Sequence, residues 1–172
     1  LALSSGAAAV YAPYTATGYL ITGPLVYGPS LFLFYGDVDT KLNCRTSTYA
    51  GTFLIVGGST ATENITLVGD SAAQGTLASI STASGFTGNV RMRNVTFKTA
   101  LVGLEIGKTY GAYNIRLNGC EFRSCDKGVD MSPTDVTNGY LNTVTFRDCY
   151  WLSNSSYDVY SDPQVRTSNV TF

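Results

Sequence analysis

The chain has 172 residues, 44% of them hydrophobic and only 13% charged, with a formal net charge of −1. That supplies one domain with a continuous core and leaves no basic footprint for nucleic acid or an anionic membrane. With no histidine and no CxxC spacing among its four cysteines, it lacks the residues for a usual zinc centre, a Ser-His-Asp triad or a Cys-His nucleophile, and no metal or cofactor is expected.

The stretch from Leu1 to Tyr14 is apolar and rich in small residues. It has no basic leader and is too short to span a bilayer, so membrane insertion is not expected. Residues 1–17 are read as an entry or capping segment and 18–172 as one repetitive domain. Gly18 to Tyr27 and Ser30 to Asp37 predict an opening coil with two strands and a Gly-Asp turn. Matching Gly36-Asp37 to Gly69-Asp70 then predicts an early, longer coil, with Thr40 to Cys44 and Gly51 to Gly57 as its other strands.

Farther on, the chain repeats itself. Asn89-Val-Arg-Met-Arg-Asn-Val-Thr-Phe97, Asn114-Ile-Arg-Leu-Asn-Gly-Cys-Glu-Phe122 and Thr143-Val-Thr-Phe-Arg-Asp-Cys-Tyr-Trp151 are one pattern written three times. Aligned, they stack Val90 on Ile115 and Val144, Met92 on Leu117 and Phe146, Val95 on Cys120 and Cys149, and Phe97 on Phe122 and Trp151. Polar residues alternate with these (Arg91, Arg116, Thr145; then Thr96, Glu121, Tyr150), which is the period of a half-buried strand. Asn64-Ile-Thr-Leu-Val-Gly-Asp70 is expected to extend the pattern, with Ile65 under Val90 and Leu67 under Met92. Gly69, Asn94, Gly119 and Asp148 would then share one bend, and these residue types tolerate a left-handed backbone. A further strand recurs as Gly103-Leu-Glu-Ile106, Gly128-Val-Asp-Met131 and Asp158-Val-Tyr-Ser161.

A strand-only repeat of about 25–30 residues predicts an all-β fold, a right-handed single-stranded parallel β-helix with three strands per coil. The loops Ser71 to Gly75, Lys108 to Tyr113, Ser132 to Tyr140 and Ser153 to Asp158 carry its length variation. Cys120 and Cys149 fall on an interior ladder, where cysteine acts as a small hydrophobe, so free thiols are expected. Because Ser168 to Phe172 restarts the repeat, the chain is read as a fragment of a longer solenoid or one capped by other material.

The order Tyr19-Leu-Ile-Thr-Gly-Pro-Leu, Leu31-Phe-Leu-Phe-Tyr-Gly-Asp, Asn64-Ile-Thr-Leu-Val-Gly-Asp, Asn94-Val-Thr-Phe and Asn118-Gly-Cys-Glu-Phe resembles the pectate-lyase-like right-handed β-helix superfamily. Within it, the chain is most similar to bacteriophage tailspike and tail-fibre proteins. The resemblance covers the whole chain as a fold pattern and carries no catalytic signature. It implies an extracellular virion protein, a homotrimer of parallel β-helices among other virion proteins, that binds a bacterial cell-surface glycan and in some members cleaves it. The chain is much shorter than a complete tailspike β-helix, and no virion-attachment or trimerising element is recognisable. A non-catalytic virion fibre or decoration protein is the alternative, and a secreted polysaccharide lyase or hydrolase is a second.

Glycoside hydrolysis needs two carboxylates, one protonated and one ionised. Outward positions on neighbouring coils, about 4.8 Å apart, supply such a pair in Glu105 and Asp130, with Tyr160 on the next coil. Crowding like charges raises one pKa, as an acid catalyst requires. Glu121 and Asp126 are the substitutes. Tyr150 and Tyr160 offer faces for sugar rings, while Arg91 and Arg116, with Arg123, can hold an acidic sugar. Lyase chemistry would fall by elimination to Lys108 or Lys127. Each feature also has a plainer reading, since outward acids and arginines are commonly solvated and outward tyrosines also fill trimer contacts.

Overall fold

The computed structural model describes residues 7–27, 31–81, 87–107, 111–132, 140–163 and 166–172. Residues 1–6, Lys108 and the 133–139 part of one expected loop lie outside them. Among the described residues there are strands and no helix.

The first coil holds β1 (Ala9–Ala12), β2 (Tyr19–Ile21) and β3 (Leu25–Val26); the second holds β4 (Leu33–Gly36), β5 (Lys41–Cys44) and β6 (Thr52–Val56). The third holds β7 (Ala61–Glu63), β8 (Thr66–Gly69) and β9 (Thr76–Ile80); the fourth holds β10 (Thr87–Arg93), β11 (Thr96–Lys98) and β12 (Val102–Ile106). The fifth holds β13 (Ala112–Asn118), β14 (Glu121–Arg123) and β15 (Lys127–Met131); the sixth holds β16 (Tyr140–Arg147), β17 (Tyr150–Leu152) and β18 (Tyr157–Ser161), and β19 (Arg166–Thr171) follows. Every third strand pairs in parallel, giving one seven-stranded and two six-stranded sheets. The protein is therefore a β-solenoid of about six turns with about 26 residues per coil. Strand β1, within the entry segment, already forms a rung against β4.

The core is a set of ladders running along the axis. Val90, Ile115, Val144 and Val170 occupy successive rungs of the first sheet, beside Met92, Leu117 and Phe146. The second sheet stacks Leu42, Leu67, Phe97, Phe122 and Trp151. The Phe97 and Phe122 rings lie 4.9 Å apart and 4° from parallel, and Trp151 follows at 6.0 Å. Leu54, Ala78, Leu104, Val129 and Val159 line the third. Val95 and Cys120 are fully buried at the corner, where Cys149 packs half-buried against them, and all four cysteines are free.

The corners are held by left-handed residues in register. Asn64, Asn94, Gly119 and Asp148 have φ of 55°, 53°, 61° and 52°, and Thr99, Ser124 and Ser153 form a second such column. The register expected for the third coil is corrected here. Thr62, not Leu67, pairs with Met92, while Leu67 lies under Phe97 on the next sheet. Ile65 sits beneath Val95, its carbonyl accepting from the Thr96 N–H. The left-handed residue at this corner of the third coil is Asn64, so Asn64-Ile-Thr-Leu corresponds to Asn94-Val-Thr-Phe. Gly69 serves another need: a Cβ there would stand 2.0 Å from the Thr99 carbonyl oxygen. Gly36 and Gly69 are likewise not equivalent, since Gly36 ends a strand of the first sheet and Gly69 pairs with Cys44 on the second. The two remaining strands of the second coil lie where the sequence places them, as β5 and β6.

Candidate functional site

The expected sugar-binding and catalytic residues divide among the three sheets. On the third, β9, β12, β15 and β18 bring Ser79, Glu105, Asp130 and Tyr160 into one register column on successive rungs. The Glu105–Asp130 juxtaposition is thus as the sequence predicts. Its exposure is not: Glu105 is 4% exposed and every residue of β12 is buried. Asp130 is half-buried and accepts from the Lys127 ammonium at 2.8 Å. The same ammonium stands 4.5 Å from the centre of the Tyr160 ring. Tyr157, half exposed, packs at 5.0 Å from Tyr160, so a cation, a carboxylate and two phenol rings meet across the last two coils. Tyr157 precedes the Asp158-Val-Tyr-Ser segment, and strand alternation puts residues three apart on opposite faces, so nothing in the sequence signalled its contact with Tyr160.

Asp126 lies at the corner before β15 and accepts from the hydroxyls of Ser155 (2.9 Å) and Ser156 on the next coil. Those bonds, Ser156 first, hold its carboxyl below the usual carboxylate range. A group held ionised in this way carries no proton to donate at neutral pH and, with its pKa lowered, is also a weaker base, so it does not suit the acid role. Lys127 is held above its usual value by Asp130, whose bond and charge outweigh the opposing effect of burial.

Glu121 is on the second sheet, apart from Asp130. It pairs with the Arg123 guanidinium at 3.3 Å and has Tyr150, 67% exposed, on the next rung. Glu121 and Arg123 help line a shallow groove of about 470 Å³ that also holds Lys41, Thr96 and Lys98. One register column of this surface runs Lys41, Thr66, Thr96, Glu121 and Tyr150, so Tyr150 stands at its far end.

Arg91 and Arg116 are on the first sheet as register partners, exposed in a groove of about 500 Å³. Phe32, Ser59, Thr60, Ala61, Asn89 and Asn114 complete its lining. The stacking of the arginines is legible in the repeat, whereas Phe32 and Ser59 come from irregular coils that give no such signal.

The cysteine corner has its own electrostatics. A hydrogen bond with Cys149 and then burial push the Cys120 thiol well above its ordinary value, and the same bond lowers Cys149. Burial first, and then the Asp70 charge, push the Cys44 thiol up to about 12. Among the described residues no group of three metal-ligating side chains comes together, and no helix is long and apolar enough to cross a membrane. No known protein-family model, curated protein or solved structure matches this chain.

Proposed function

We propose that this chain is a glycan-binding β-helix of the tailspike or tail-fibre kind, a trimeric rod on a virion that recognises bacterial surface polysaccharide. The observation that carries the reading is the patch formed by Tyr157, Tyr160, Lys127 and Asp130. Pyranose rings present a C–H face that packs on an aromatic ring, and their hydroxyls donate to carboxylates. The Lys127 clamp fixes both the Tyr160 ring and the Asp130 carboxylate before a ligand arrives, which lowers the ordering cost of binding.

Binding, and not cleavage, is the activity this arrangement favours. An acid that protonates a glycosidic oxygen must touch it, and Glu105 is 4% exposed. The test is to incubate the intact protein with a panel of capsular polysaccharides and lipopolysaccharides, then measure retention and product size. Retention without shortening is expected, with affinity reduced about tenfold in Y157A/Y160A. Failure to retain any of them overturns the reading in favour of a stiff virion spacer. Shortening lost in both E105Q and D130N would instead establish the carboxylate pair as catalytic. Light scattering checks the assembly, and a stable monomer removes the trimer from the proposal.

A further inference from the structure

Four arginines of this protein face a carboxylate at close range: Arg45 with Asp70 at 3.8 Å, Arg93 with Glu63 at 3.0 Å, Arg123 with Glu121 at 3.3 Å and Arg147 with Asp148 at 3.5 Å. Among the described residues Arg166 on the last strand faces none, and neither do Arg91 and Arg116. Arg91 and Arg116 are nevertheless register partners on neighbouring rungs, an arrangement in which like charges repel. Both line the groove on the first sheet.

The groove orients one of the two in a specific way. Asn89 and Asn114 have left-handed φ of 57° and 52° and interrupt the strand pairing at one place on successive coils. The Asn114 amide donates to the Asn89 side-chain oxygen at 2.6 Å, and Arg116 Nε donates to the Asn114 side-chain oxygen at 3.2 Å. A guanidinium tethered through Nε keeps its two terminal nitrogens, and that pair matches the two oxygens of a carboxylate. Phe32, 61% exposed, supplies an apolar face on the same groove, and Ser59 a hydroxyl.

We infer that this groove is a carboxylate-recognising subsite for a uronate-containing polysaccharide, with Arg91 and Arg116 converging on one sugar carboxylate and Phe32 packing against the ring. The inference rests on the glycan-binding reading for its ligand class, but its groove lies on a different sheet from the tyrosine patch. The relief of repulsion between the arginines adds to the attraction of an anion, so binding weakens as salt rises.

The test titrates the intact chain with galacturonate oligomers and with the same oligomers methyl-esterified, following heat and the Nε–H resonances of the arginines. Binding of the acid but not the ester is expected, with the Arg91 and Arg116 resonances moving. R91Q and R116Q should each lower affinity about tenfold or more. R147Q, on the same sheet but paired with Asp148, should leave it unchanged. Equal binding of the ester, no binding of the acid, undiminished affinity in R91Q and R116Q, or an equal loss in R147Q each overturns the subsite. Neutral glycans retained through the tyrosine patch while the acid oligomers fail to bind would sink this inference and leave the glycan reading standing. Acid bound undiminished by Y157A/Y160A but lost in R91Q/R116Q would sustain the inference by itself.

Discussion

At the scale of single residues, the fold is controlled by a few positions whose backbone is left-handed. Such a conformation costs most side-chain-bearing residues about 1–2 kcal/mol, and Asn, Asp and Gly bear it most easily. Asn64, Asn94, Gly119 and Asp148 occupy one corner on four consecutive coils. Asn94 adds to this by donating its side-chain amide to Asn64 at 3.1 Å, joining the third and fourth coils. Gly119 can make no such bond, and a Cβ there would lie 2.7 Å from the Asn94 side-chain oxygen. Gly119→Ala should therefore cost about 1–2 kcal/mol. Asn94→Gly, which trades a bond for backbone ease, should change stability by less than about 1 kcal/mol. Urea midpoints at constant slope measure both. An unchanged midpoint in Gly119→Ala would show that the corner tolerates a side chain.

At the scale of the strand, stability lies in contacts between like positions of successive coils. Phe122 touches this principle most directly, stacked between Phe97 at 4.9 Å and Trp151 at 6.0 Å and wholly buried. Phe122→Ala should cost about 3–5 kcal/mol, because both neighbours lose a ring face and the rigid coils cannot close the gap. Tyr150→Ala, outward on the next rung, should stay within about 0.5 kcal/mol. Equal effects of the two on urea unfolding would refute the inward ladder. The strands of coils four to six were legible because their alternation recurs with unchanged turns. The third coil was not, because Ile65 and Leu67 alternate equally well beneath Val90 and Met92 or beneath Val95 and Phe97. Only the left-handed Asn64 decides between them. The same limit applies to the site: register predicted the Glu105–Asp130 column, but burial of Glu105 depends on what packs over β12, which periodicity does not encode. The Arg91–Arg116 pair could be read from the repeat, whereas Phe32 and Ser59 reach the groove through coils whose spacing is irregular.

At the scale of the whole molecule, three carboxylates tie neighbouring coils together. Asp37, on the second coil, accepts from the Tyr11 hydroxyl at 2.6 Å and the Tyr14 N–H at 2.9 Å on the first. Asp70, on the third, accepts from the N–H and hydroxyl of Ser47 on the second, both at 2.7 Å. Asp126, on the fifth, accepts from Ser155 and Ser156 on the sixth. These bonds lower all three pKa values, led by Tyr11 for Asp37, the Ser47 N–H for Asp70 and Ser156 for Asp126. A depressed native pKa contributes stability that is complete above the unfolded value, about 3.9 for aspartate. It is lost as pH falls through the native values. As these carboxylates protonate, stability should fall below about pH 4. A solenoid's stability is set by local interfaces between coils, so each carboxylate should act on its own end. Trp151, the chain's only tryptophan, sits on the sixth coil. Its fluorescence therefore follows the junction that Asp126 closes, while circular dichroism follows all the coils. Asp126→Asn, which keeps the shape and removes the titration, should flatten the acid transition seen by Trp151 more than the one seen by circular dichroism. Asp37→Asn should do the reverse. Identical acid profiles in both variants and the unaltered chain would show that the three carboxylates do not bind the coils together.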